Sequence, residues 1–223
     1  MSLLDDIAMK LENYNLVNHT VYNNLNNGTL NIIVLRKYAK QYYHHLVACP
    51  RYISLLHSQC EDAGTRQVLL ANLMAAEHGE DNNPSLWLKL ADNLLIDRNE
   101  LYGEELLKKT QLLINGYFEL CQESFATGLG ALYVCEQQAS NVIALVLRGL
   151  RNNLYFSTNH KTDLHDFDMY NIKPSKRSSK ECVALINKLE PKYQRLVGDG
   201  AVFGAKLLWQ FLDGIKEFNL LLN

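Results

Sequence analysis

The residues best suited to chemistry in this sequence are a few histidines and carboxylates on segments with helical periodicity. His44 and His45 are adjacent, so on a helix their side chains point about 100° apart and do not converge on one metal ion. Glu77 and His78 have the same limitation, because dinuclear metal bundles use a Glu and a His three residues apart. These pairs therefore predict helix or pocket residues rather than a complete metal site.

Sequence signals for other common catalytic sites are missing. Gly128-Leu129-Gly130 lies in an apolar helical pattern with no preceding strand and no lysine, unlike a phosphate-binding loop. The sequence also has no serine-nucleophile elbow. The five cysteines are widely spaced, without a Cys-x-x-Cys pair: Cys49, Cys60, Cys121, Cys135 and Cys182. Four of them follow apolar helical patterns, which predicts buried thiols rather than disulfides or a zinc site.

Nearly every segment has apolar residues at helical spacing, and no strand alternation persists. The sequence therefore predicts a single all-α domain over residues 1–223, with seven or eight helices. One helix is expected to begin near Thr65. Another is expected to begin at Asn83-Pro84, because asparagine caps helices well and proline suits the first turn.

Local signals predict several interruptions of the helices. Pro50 removes a backbone donor inside the pattern from about Leu30 to Cys60, which predicts a kink near Leu46 to Cys49. The remaining expectations are a turn at Asp97–Tyr102, a loop over residues 157–174 and a bend at Gly198–Gly200.

Charge and hydropathy exclude two classes of protein. Twenty-two basic and 24 acidic residues give a formal net charge of −2, which is unsuited to a broad phosphate-neutralising surface, so no nucleic-acid partner is expected. The most apolar stretch, Ser124 to Cys135, is too short to cross a bilayer. The N-terminal segment is acidic where a signal peptide is basic. We therefore expect a cytoplasmic protein without a membrane partner.

A series of short motifs is distinctive in its order and spacing. It comprises His19-Thr20-Val21-Tyr22, Tyr38 to His45, Ala48 to Ser54, Leu70 to Met74, Asn83-Pro84, Ala131-Leu132-Tyr133 with Glu136, and Arg148-Gly149-Leu150. This series resembles the heme-oxygenase-like superfamily, in particular the branch that contains the chlamydial protein associating with death domains (CADD), beside PqqC and TenA. The resemblance covers roughly residues 15 to 155.

The resemblance implies a helical bundle around a central pocket, usually as a homodimer. CADD-like members use iron or manganese and dioxygen to make para-aminobenzoate from one of their own tyrosines. PqqC is a cofactor-free oxidase, and TenA hydrolyses thiamin-related pyrimidines. Since one fold supports several activities, the pocket residues must decide the function.

The metal ligands implied by the resemblance are mostly absent. Its helix-borne Glu and His correspond to Ala76 and Asn83, whereas Glu136 matches the Glu of the middle helix. No histidine lies between Asp168 and Ser178, where the resemblance implies a His-x-x-x-Asp-x-x-His set. No cofactor is therefore expected. Iron or manganese would need an alternative ligand set, whose weak candidates are Glu80, Glu136 and Asp168.

The candidate catalytic residues are Tyr22, Tyr38 and Glu136. Tyr22 matches the tyrosine that CADD-like proteins consume, and Tyr38 matches another pocket tyrosine, although the pocket lysine of that branch corresponds to Val146. Ordinary helix packing would also account for both tyrosines. For Glu136, a hydrogen bond from Tyr22 or Tyr38 is expected. The expected pocket-lining residues are Tyr42, His45, Ala76, Glu80 and Asn83.

Two functions follow from these residues. The first is a divergent CADD- or PqqC-like oxidoreductase that acts on an aromatic or tyrosine-derived compound. The second is a non-catalytic helical scaffold that binds a protein partner or a small apolar or aromatic ligand. The missing metal ligands favour the second function, whereas Tyr22, Tyr38, His45 and Glu136 favour the first.

Overall fold

A computed structural model of the protein describes residues 2–78, 82–152 and 179–222. These residues form ten α-helices and no strand, which confirms the all-α prediction. The helices are α1 (Leu3–Leu11), α2 (Thr20–Asn26), α3 (Ile32–Gln59), α4 (Ala63–Glu77), α5 (Asn83–Asn93), α6 (Arg98–Tyr102), α7 (Lys108–Glu123), α8 (Phe125–Asn152), α9 (179–188) and α10 (Gln194–Leu220). The predicted loop over 157–174 lies outside the described residues.

Side-chain caps explain where several helices begin. The side chains of Asn31, Asp62 and Asn82 each accept a backbone N–H from the first turn of α3, α4 and α5. The predicted start near Thr65 is therefore slightly late: Asp62 is the cap, and its carboxylate accepts the Thr65 N–H at 2.7 Å.

One expectation about interruptions differs from the structure. The segment predicted as a turn contains helix α6, because the Asp97 side chain accepts the N–H of Asn99 and starts one helical turn. This short helix contributes to a helix number above the predicted seven or eight. Helix α3 continues through Pro50 as one element, and α10 continues through Gly198–Gly200, so the kink and the bend expected within them stay predictions.

Helices α8 and α10 form the most extensive helix pair, and both also pack against α7. Their close approach depends on glycine. A Cβ on Gly130 of α8 would collide with the carbonyl oxygen of Val197, and one on Gly200 of α10 would collide with that of Thr127. Helix α3 packs against α4, α5, α7 and α8. The central pocket lies where α3, α4, α5 and α8 meet.

Within the described ranges, no helix has both the length and the apolar character that a bilayer span needs.

Candidate functional site

The central pocket is a cavity of about 70 Å³ between α3, α4, α5 and α8. Its lining is mostly aromatic and aliphatic, with two thiols and one carboxylate. The lining residues are Tyr38, Tyr42, Leu46, Cys49, Ile53, Ala76, Trp87, Cys135, Glu136, Ala139, Val142, Ile143 and Val146.

Tyr38, Tyr42 and Trp87 form an aromatic wall. Tyr38 and Tyr42 are one helical turn apart on α3, and their rings stack with centroids 5.7 Å apart and an interplanar angle of 14°. The Trp87 ring lies 5.0 Å from Tyr42, and its Nε1 donates a hydrogen bond of 2.7 Å to the carbonyl oxygen of Ala39. This bond fixes the indole, so the wall presents a preformed surface for a flat ligand.

Tyr22 lies behind this wall. Its hydroxyl is 2.9 Å from the hydroxyl of Tyr38, and the two rings meet edge to face. Tyr22 lines a smaller adjoining cavity that shares Tyr42 and Cys135 with the central pocket. Burial raises the pKa of both Tyr22 and Tyr38 far above the usual range. Both side chains are therefore neutral phenols at neutral pH.

Glu136 and Val146 of α8 line the pocket, and so does Ala76 of α4. The structure thus places Ala76 and Glu136 at one cavity. The hydroxyls of Tyr22 and Tyr38 bond to each other. The hydrogen bond expected between Glu136 and one of these tyrosines stays a prediction.

The predicted metal candidates are only partly within the described part of the chain. Glu80 and Asp168 lie outside it, and for Asn83 only the backbone, at the start of α5, is described. Over residues 2–78, 82–152 and 179–222, no group of three or more His, Cys, Asp or Glu side chains has the arrangement to hold a metal ion. Among the described residues that line the central pocket, Glu136 is the one carboxylate, and Ala76 lies at the same cavity.

His45, an expected pocket-lining residue, forms a cluster with two cysteines that the sequence analysis did not treat as site residues. His45 is completely buried, and its Nε2 is 3.8 Å from the Sγ of Cys49 and 3.9 Å from the Sγ of Cys135. The other ring nitrogen, Nδ1, is 3.5 Å from the hydroxyl of Tyr52. His45 thus contacts two thiols that face the pocket. One signal was present in the sequence: Cys49 follows His45 by four residues, which places both on one face of α3.

The two thiols differ in acidity because they share one hydrogen bond. The pKa of Cys135 lies well below the usual range, chiefly because the Cys49 thiol donates to its sulfur and also because of the His45 contact. The same hydrogen bond, together with burial, raises the pKa of Cys49. The interactions at this pair therefore favour the thiolate on Cys135 over the thiolate on Cys49.

A larger groove of about 730 Å³ lies on the surface between the end of α3, the start of α8 and α9. It is open to solvent and lined by residues such as Gln59, Phe125 and Lys188. We place the candidate site in the central pocket, because the stacked aromatic rings, the carboxylate and the thiols converge there.

The fold and its pocket define a helical protein of the heme-oxygenase-like class. A domain of unknown function from Shewanella denitrificans OS217, described as having a heme oxygenase-like fold, superposes with a TM-score of 0.80 at 16% identity, covering 99% of this chain and 94% of that one. A CADD-like protein of unknown function from Nostoc punctiforme PCC 73102 gives a TM-score of 0.71 at 13% identity, covering 96% and 98%. These similarities confirm the predicted fold.

The chain belongs to the TENA/THI-4/PQQC family, whose model matches residues 7–190. A 4-aminobenzoate synthase from Chlamydia trachomatis serovar D is 31% identical over 218 residues, which cover 97% of this chain and 93% of the relative. The resemblance inferred from the sequence motifs is therefore confirmed.

Proposed function

We propose that this protein is a divergent oxidoreductase that acts on an aromatic or tyrosine-derived compound, in chemistry of the type that forms 4-aminobenzoate. The observation that carries this proposal is the central pocket, in which the fixed rings of Tyr38, Tyr42 and Trp87 share one cavity with the carboxylate of Glu136. The 4-aminobenzoate synthases among its relatives support the class of compound.

Each part of the pocket has a role in this proposal. The aromatic wall stacks on the ring of the substrate and excludes water from it. Glu136 accepts a hydrogen bond from an amine or hydroxyl substituent and so orients the ring. Tyr22 and Tyr38 remain protonated and carry the reactive phenol groups. No step is assigned to a metal: the roles above are those of this chain's own residues.

The absence of a dinuclear centre is a prediction of its own. Elemental analysis of the purified protein should find no stoichiometric pair of iron or manganese ions. About two tightly bound metal ions per chain, lost on Glu136→Ala, would show that an alternative ligand set exists, with Glu80 and Asp168 as its first candidates.

A second function is favoured by a different observation. Ala76 and Val146 place a methyl and an isopropyl group in the pocket. These groups suit a non-catalytic scaffold that binds an apolar or aromatic ligand or a protein partner.

Growth of a bacterium that cannot make 4-aminobenzoate separates these functions. The protein should restore growth without added 4-aminobenzoate, whereas Tyr38→Phe and Glu136→Gln should reduce the rescue at equal protein levels. The matched control is Tyr102→Phe, because Tyr102 is exposed on α6. Binding of 4-aminobenzoate in calorimetry without any rescue would support the scaffold and contradict the enzyme.

Assembly and location follow from the family resemblance and the composition. We infer a homodimer in the cytoplasm. Light scattering that gives a mass near 25.5 kDa would contradict the dimer. Recovery of the untagged protein in a non-cytoplasmic fraction would contradict the location.

A further inference from the structure

Two thiols from distant parts of the chain meet at the wall of the central pocket. Cys49 lies on α3 and Cys135 on α8, and both line the cavity. Both sulfurs lie within 4 Å of the same nitrogen, His45 Nε2, at 3.8 Å for Cys49 and 3.9 Å for Cys135. The proposed oxidation of an aromatic compound assigns no role to this pair.

We propose that Cys49 and Cys135 form a reversible dithiol–disulfide site, which hydrogen peroxide oxidises and a small dithiol reduces. Two sulfurs that lie against one nitrogen and line one cavity can approach each other by side-chain rotation, towards the S–S bond length of about 2.05 Å. Hydrogen peroxide is the proposed oxidant because it is a two-electron oxidant of thiols and is little larger than water.

The reaction is a two-electron oxidation in two steps. The sulfur of Cys135 attacks one oxygen of hydrogen peroxide; an S–O bond forms, the O–O bond breaks, and the thiol proton reaches the leaving oxygen, which departs as water. The sulfur of Cys49 then attacks the sulfenic sulfur of Cys135; the S–S bond forms, the S–O bond breaks, and the leaving hydroxyl takes the Cys49 thiol proton and departs as a second water. His45 Nε2 lies beside both sulfurs and carries each proton from thiol to leaving oxygen.

The remaining cysteines have different surroundings. Cys121 and Cys182 are each only 1% exposed. Cys60 lies just after α3, where its thiol is 3.7 Å from the carbonyl oxygen of Asp62. Cys60 is therefore a suitable control: it is a partly exposed thiol that does not line the central pocket.

Disulfide formation would alter the pocket itself. The bond would join α3 to α8 across the wall that carries Tyr42 and Glu136, and it would withdraw both thiol protons from the neighbourhood of His45. We therefore expect the oxidised protein to bind a flat aromatic ligand differently from the reduced protein.

The test counts thiols in the full-length protein. The protein is treated with hydrogen peroxide, unfolded, alkylated and weighed by mass spectrometry. We expect two of its five thiols to be lost, a peptide joining Cys49 to Cys135, and full recovery after dithiothreitol. Cys60→Ser should still lose two thiols, whereas Cys49→Ser and Cys135→Ser should not form this bond.

His45 has a separate readout in the same experiment. His45→Gln should slow disulfide formation by about tenfold or more, as expected for loss of a proton carrier, and circular dichroism must first show that this variant is folded. If it is not, the rate for the unaltered protein should instead fall in deuterated water.

Three results would overturn the proposal: retention of all five thiols by the folded protein, a disulfide that requires Cys60, or oxidation that stops at a sulfinic or sulfonic acid on Cys135. The thiol count is independent of 4-aminobenzoate chemistry. Failure here therefore leaves the proposed function standing, and failure of growth rescue leaves this site standing.

Discussion

The hydroxyls of Tyr22 and Tyr38 lie 2.9 Å apart, and each tyrosine is only 2% exposed. They join α2 to α3 directly behind the aromatic wall of the pocket. A buried hydroxyl that loses its partner costs more than the bond itself contributes, because the remaining group has given up its hydration without compensation.

Removal of either hydroxyl should therefore destabilise the protein, and removal of both should cost less than the sum. We expect Tyr22→Phe and Tyr38→Phe each to lower the free energy of unfolding by about 1–3 kcal/mol. The double variant should show a clear coupling in a double-mutant cycle measured by urea unfolding. The exposed Tyr102→Phe is the control, and strictly additive losses would show that the two hydroxyls are not partners.

Changes at Glu136 test whether its carboxylate belongs to a satisfied polar network in the pocket. Glu136→Gln keeps an acceptor and should preserve stability. Glu136→Leu should lower the free energy of unfolding by roughly 1–3 kcal/mol, because its partners lose their acceptor. The comparison is Glu119→Leu, on the exposed face of α7. A neutral or stabilising Glu136→Leu would exclude such a network.

Alanine at glycine positions should have opposite effects within the α8–α10 pair. Gly130→Ala forces a methyl group into the backbone of α10 at Val197, so helices must separate, and we expect a loss of about 1–3 kcal/mol or more. Gly198→Ala meets no atom within 4 Å and should be neutral or stabilise by up to about 1 kcal/mol, since alanine favours the helix. Thermal unfolding of both variants measures the contrast, and equal effects would argue against this helix contact.

Acid should weaken the structure through His19. Burial lowers the pKa of His19 from 6.5 despite the Asp213 carboxylate 3.2 Å from its Nε2, and its Nδ1 accepts the N–H of Val21 at the start of α2. As the pH decreases below 6.5, His19 therefore binds a proton in the unfolded chain before it does so in the folded protein. The free energy of unfolding falls as the pH decreases towards the folded pKa. Above pH 6.5 this contribution is fully present.

His19→Asn tests this pH dependence, because asparagine keeps a helix-capping acceptor but does not titrate. We expect a smaller loss of stability between pH 7.5 and pH 5.5 than in the unaltered protein, measured by urea unfolding at both pH values. His44, whose pKa burial also lowers, remains in both proteins and supplies the common background. Identical losses in the two proteins would assign the acid sensitivity to other groups.

The sequence by itself determined the helices, since these depend on local interactions. Apolar spacing defined the long helices, and Asn83-Pro84 correctly marked the start of α5. Helix α6 escaped detection because five residues are too few to show a period, and its start depends on one side-chain cap at Asp97. Helix α3 tolerates Pro50 because the packing of this long helix against α4, α5, α7 and α8 outweighs the loss of one backbone hydrogen bond.

Only the tertiary structure decided which side chains share the pocket. Spacing along α3 placed Tyr38, Tyr42 and His45 on one face, but nothing in the sequence says which part of α8 faces them. The close approach of α8 to its neighbours sets that register, and it brings Cys135 to the imidazole that Cys49 already contacts. Contacts between residues so far apart in the chain depend on the packing of whole helices, which local propensity and periodicity do not encode.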